Sequence, residues 1–210
     1  MKKMIASLAI LLIWSCAIPK PLMSPVKNIP ASSYVYQGEK EVTGYGAYGY
    51  VLFASKPNSV NANRYLETAE AFLDTLENVS SYSKYDPKSL MVTSWPLVTR
   101  KIIINAPSLV DAYDYSLSTK ILSSIDRLDV NGPVLVAFDI SYVSKSKHML
   151  MLDMSKFSDE EIRNAFLIWR DKISQDPKLW KNGFDLALIK IEFRSFLNKY
   201  GDSILSIFSA

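Results

Sequence analysis

Tyr48-Gly49-Tyr50-Val51-Leu52-Phe53-Ala54 is a compact run of aromatic and β-branched residues, the signature of a buried strand. Lys56-Pro57-Asn58-Ser59 breaks it, and Asn61 then stands where a helix cap is needed. Tyr65, Ala69, Phe72, Leu73 and Leu76 follow at helical spacing. This switch from strand period to helix period recurs downstream. Residues 90–97 read as a second strand stopped near Pro96, and Ile102-Ile103-Ile104 as a third, shorter one. Pro107-Ser108 opens a helix with Val110, Tyr113, Leu117, Ile121 and Ile125 on one face. Residues 134–140 and 148–154 form two more strands joined by Ser144-Lys145-Ser146-Lys147, a loop short enough to require an antiparallel hairpin.

The clearest helix start is Ser158-Asp159-Glu160-Glu161, a capping box in which Ser158 and Glu161 satisfy each other's backbone N–H groups. Ile162, Ala165, Phe166, Trp169 and Ile173 make its apolar stripe, and Asp176-Pro177 ends it. A last helix spans about 184–200, with Leu188, Phe193, Phe196 and Leu197 inward and Gly201 as its stop. The expected fold is one α/β domain over 42–210, a mixed sheet of about four to five strands covered by helices, with two helices at the C-terminus.

The N-terminus has a different character. Met1-Lys2-Lys3 precedes an almost wholly apolar run from Met4 to Trp14, too short to span a bilayer as a mature helix, and Ser15-Cys16 follows. That is an export signal over 1–15. Leu11, Leu12, Ile13, Ser15 and Cys16 resemble the lipobox of bacterial lipoproteins, although Trp14 stands where that family usually has a small residue. The resemblance implies a diacylated Cys16 as the new N-terminus. Ala17 in place of Asp after the cysteine implies sorting to the outer membrane, facing the periplasm. Two other fates fit the residues: cleavage after Ser15-Cys16-Ala17, which releases a soluble periplasmic or secreted chain, and retention of the apolar run as an anchor. Cys16 is the sole cysteine, so it has no internal disulfide partner.

Residues 16–41 read as a lipid-anchored tether, with Pro19, Pro21, Pro25 and Pro30 among polar residues and no apolar period. An ordered arm is the alternative for Tyr34-Val35-Tyr36. About 170 residues remain, enough for one domain with a sizeable core. The formal charge of +3 falls close to neutrality once Lys2 and Lys3 leave with the signal. No basic cluster survives, so nucleic acid is not an expected partner.

Catalytic signatures are sparse. Gly44-Tyr45-Gly46-Ala47-Tyr48-Gly49-Tyr50-Val51 has the letters of a dinucleotide fingerprint and of a kinase glycine loop. A strand follows it, however, where the dinucleotide motif needs a helix, and the other kinase motifs are missing. His148 is the single histidine. It could join Asp139 or Asp153 and a serine in an acid–base site, although no Gly-x-Ser-x-Gly elbow is present. Asp111 and Asp114, three apart on a helix, are a weaker carboxylate pair, and their spacing fits no metal loop. Neither a cofactor nor a metal site is expected. Tyr34, Tyr36, Tyr45, Tyr48, Tyr50 and Trp95 crowd the front of the domain, and such residues serve either sheet packing or a binding surface. The expected function is a lipid-anchored, non-enzymatic envelope module that binds or assembles another envelope protein. The alternative is an exported hydrolase using carboxylates and His148.

Overall fold

The computed structural model describes residues 28–100, 103–139, 148–176, 179, 184–201 and 205–209, the last five by backbone alone. The expected α/β domain is present: a mixed sheet with helices on both faces. Its strands are β1 (Ile29–Tyr36), β2 (Ala47–Phe53), β3 (Leu90–Leu97), β4 (Pro133–Phe138), β5 (His148–Asp153) and β6 (Leu205–Ser209). They lie in the order β1-β3-β2-β4-β5-β6. The first three are mutually parallel, and β4, β5 and β6 each run antiparallel to the strand before them in that order.

The helices are α1 (Ala62–Thr75), α2 (Ala106–Asp111), α3 (Tyr115–Ser124), α4 (Asp159–Ile168), α5 (Leu186–Glu192) and α6 (Arg194–Tyr200). Alternation along the strands splits the core in two. Val51, Phe53, Trp95, Leu135 and Leu150 face α1, α2, α4 and the C-terminal helices. Tyr50, Leu52, Val134, Val136 and Met151 face α3 on the other side.

Two of the six strands fall where none was expected. Residues 29–36, read from sequence as tether, form β1 at one edge of the sheet. Pro30 is tolerated there because its missing N–H points away from β3. At the other edge, β6 pairs with β5 after the final helix. The hairpin of β4 and β5 forms as expected, while its loop, including Lys145 and Lys147, lies outside the described residues, as do the export signal, Cys16 and 17–27. Ile103 and Ile104 are not in a strand; Ile104 lies exposed in the loop before α2.

The single helix expected after Pro107 is broken between Ala112 and Asp114. Its two halves bury side chains on opposite faces of the sheet: Leu109, Val110 and Tyr113 on one, Ile121 and Leu122 on the other. No straight helix could do both. The crossing occurs where the sheet opens, since β2 pairs with β3 only as far as Tyr50 opposite Ser94. Into that gap the elbow inserts its backbone, with the Asp114 N–H donating to the Pro96 carbonyl (3.1 Å) and Val98 N–H to Ala112 (2.9 Å). Tyr113 Oη donates to the Val51 carbonyl (2.9 Å) and accepts from Phe53 N (3.1 Å). Ser118 Oγ donates to the Phe53 carbonyl (2.7 Å). Side chains thus replace the ladder that the parted strands cannot make. Asp114 is buried as the cap of α3, accepting from Ser116 N and Leu117 N.

The capping box at Ser158 and Glu161 forms, and Ile162, Ala165, Phe166, Trp169 and Ile173 are all buried. Past Ile168 the helix widens into a π-helical stretch, Trp169–Ser174. The last helix breaks at Phe193 into α5 and α6, which turns Leu188 outward to 41 % exposure, against expectation, while Phe193 and Phe196 stay buried. Gly201 ends α6 at φ 75°.

Candidate binding surface

Of the six aromatic candidates, the fold leaves three near the surface. Tyr34 and Tyr36 stand two apart on β1, on the face that α1 covers. Tyr34 rests on Phe72 with ring centres 6.4 Å apart and lies 6.5 Å from Tyr36. The Arg100 guanidinium sits over the Tyr36 ring at 4.9 Å and is gripped by Glu39 through two bonds of 2.8 and 3.1 Å. On the opposite face, Tyr45 leans on Tyr48 at 5.8 Å. The Tyr48 hydroxyl accepts from Gly44 N (2.8 Å) and Tyr45 N (3.1 Å), and Gly44 adopts φ 101°. The glycine-rich run is therefore a turn whose amides are already engaged, feeding a strand.

Tyr34, Tyr45, Val35 and Val42, with Glu39 and Glu41, border a concavity of about 40 Å³. Burial raises the Tyr34 and Tyr45 phenols, as do the neighbouring Tyr36 and Tyr48. Both therefore remain neutral hydroxyls, able to donate and to accept. Tyr48, Tyr50 and Trp95 are core residues, the last two at 0 % exposure, and offer no surface to a partner. Arg100 and Glu39 were not legible as part of this surface, because nothing local links Arg100 to a tyrosine 64 positions earlier.

Of the ionisable candidates, the described structure brings together His148 and Asp139 and leaves the others apart. His148 Nδ1 lies 2.7 Å from Asp139 Oδ2, joining two adjacent strand ends. Asp153 stands at the far end of β5, roughly 17 Å along the strand from His148. There it accepts from Ser155 N (2.9 Å) and faces Arg127 at 3.9 Å. Asp111 is exposed, and Asp114 is committed to its cap. Among the described residues no three His, Cys, Asp or Glu side chains gather as metal ligands, and no helix is long and apolar enough to cross a membrane.

A larger cleft of about 390 Å³ opens between α4 and α6, lined by Glu161, Asn164, Leu167, Ile168, Ser195 and Phe196. Glu161, its one ionised group, is already held by Lys199 Nζ (2.7 Å), Tyr200 Oη (2.6 Å) and Ser158 N (2.8 Å). No known protein family, curated protein or solved structure matches this chain.

Proposed function

We propose that this chain is a lipid-anchored protein of the bacterial cell envelope, a non-enzymatic module that binds or assembles another envelope protein. Its anchor is an acylated Cys16 that holds the chain at the outer membrane, with the domain facing the periplasm. One observation carries the reading: the strand that directly follows the tether bears Tyr34 and Tyr36 at a sheet edge, and Tyr45 from the other face shares a concavity with them. Tyrosines of this kind supply contact area at low entropic cost. A module of this sort would meet its partner close to the membrane, within reach of the 12 residues between Cys16 and β1.

The test is site-specific photo-crosslinking in cells, with the reactive side chain at Tyr36 or Tyr45 and a control at exposed Lys120. A discrete adduct with one envelope protein from the tyrosine positions alone supports the reading. Equal or absent adducts from all three positions contradict it. The second reading, an exported hydrolase, rests on the 2.7 Å pairing of His148 with Asp139. If it holds, Asp139→Ala and His148→Ala each abolish a loss-of-function phenotype's complementation while the thermal transition of the folded protein is retained.

A further inference from the structure

Strand β1 is an edge strand, and among the described residues its outer side is only partly covered. Backbone groups alternate along a strand, so the N–H groups of Ala31, Ser33 and Val35 point to β3 and those of Ser32, Tyr34 and Tyr36 point outward. Ser32 is satisfied there: its N–H donates to the Glu77 carbonyl at 2.8 Å, and its Oγ donates to Leu76 at 3.0 Å. The chain then turns away into a 3₁₀ turn at Val79–Tyr82. The next two outward N–H groups, Tyr34 and Tyr36, meet no acceptor among the described residues. Among the described residues, the Tyr34 carbonyl between them receives only the adjacent Ser33 hydroxyl, at 3.5 Å.

We propose that this open edge binds a short extended segment of a partner polypeptide, which adds a strand beside residues 34–36. The inference rests on the binding-module reading above and specifies its partner. Three features favour a peptide over a second copy of this chain. The gap between the Glu77 segment and the turn at Gln37 is about three residues, roughly 10 Å, too short for two globular edges to share. Among the described residues, the groups that no strand pairs are a donor, an acceptor and a donor in strand register, the pattern that a peptide backbone complements. Lastly, the concavity of about 40 Å³ bordered by Tyr34, Val35 and Tyr45 has room for one small side chain of the incoming strand.

Pro30 provides the design of a test. It already occupies an outward position of β1, so proline fits there without loss of a sheet bond. Tyr36→Ala removes the ring alone, whereas Tyr36→Pro removes the ring and the outward N–H. The probe is the best binder selected on the full chain from a displayed library of unstructured random hexapeptides. The expected result is that this peptide slows exchange of the Tyr34 and Tyr36 amides about tenfold or more. Tyr36→Pro should bind it about three- to tenfold more weakly than Tyr36→Ala, with both variants sharing one thermal midpoint. Failure to enrich any binder, unchanged exchange at the two amides, or equal affinity of the two variants overturns the proposal. A peptide that leaves both amides untouched but is lost in Tyr45→Ala would overturn edge pairing and leave the binding-module reading standing.

Discussion

Gly49 shows how one missing side chain sets the middle of the sheet. A Cβ at this position would sit 2.7 Å from Thr93 Oγ1 and 3.2 Å from Thr93 Cα on the neighbouring strand. The space goes to Thr93, whose hydroxyl accepts the buried Trp169 Nε1–H at 3.1 Å and so pins the end of α4 to the sheet. Gly49→Ala should therefore cost about 1–3 kcal/mol of stability through overpacking. Thr93→Val, which keeps the shape but orphans the indole N–H, should cost about 1–3 kcal/mol. Urea denaturation reads both, and a shift under 0.5 kcal/mol in either would contradict the arrangement.

Glu161 makes a second residue-scale case, because it both completes the α4 capping box and ties α4 to Lys199 and Tyr200. Partial burial alone would raise its carboxyl, but hydrogen bonds from Lys199, Tyr200 and Ser158 outweigh that and hold it at about 2, against an ordinary 4.5. A depressed carboxyl stabilises the fold above its unfolded value and ceases to do so as pH falls through its folded value. The stability gap between the native chain and Glu161→Gln should thus be constant above about pH 4.5 and shrink toward zero near pH 2. A gap that stays flat across this window would contradict the assignment.

Among the elements, the α2–α3 elbow is the joint on which the sheet depends. Tyr113 Oη and Ser118 Oγ both serve Phe53 N–H, while each alone serves one carbonyl, Val51 for Tyr113 and Phe53 for Ser118. Burial pushes the Tyr113 phenol far above its ordinary range, so it acts only as a neutral hydroxyl. Tyr113→Phe should cost about 1–3 kcal/mol, with one acceptor orphaned and Phe53 N–H still satisfied. Adding Ser118→Ala should cost more than the two single changes together, because Phe53 N–H then loses its last partner. Simple additivity in a double-mutant cycle would refute the shared role.

Elements whose signals are local were legible in the sequence. The Ser158 box, the apolar stripe from Ile162 to Ile173 and the β4–β5 hairpin depend on residues a few positions apart. The breaks at 112–114 and at Phe193 were not legible, because apolar periodicity reports that a side is buried and not which face of the sheet buries it. Strand β1 has the look of linker in the sequence for a related reason. Pro30, Ser32 and Ser33 describe an edge strand only when the neighbour that takes the inward groups is known. At the binding surface, Tyr34, Tyr36 and Tyr45 were legible as residues, but their separation from the buried Tyr48, Tyr50 and Trp95 depended on register.

For the molecule as a whole, the edge that bears the candidate surface is also the strand nearest the proposed anchor. The partner site would therefore be presented close to the membrane, while α1, α4, α5 and α6 cover one face of the sheet. This picture depends on Cys16, and the most direct test is the intact mass of the mature protein recovered from membranes. The expected mass is that of a chain beginning at Cys16 and carrying a diacylglyceryl group, with or without a further N-terminal acyl chain. A mass beginning at Ile18, or one that retains Met1 with an unmodified Cys16 thiol, would contradict the anchored module.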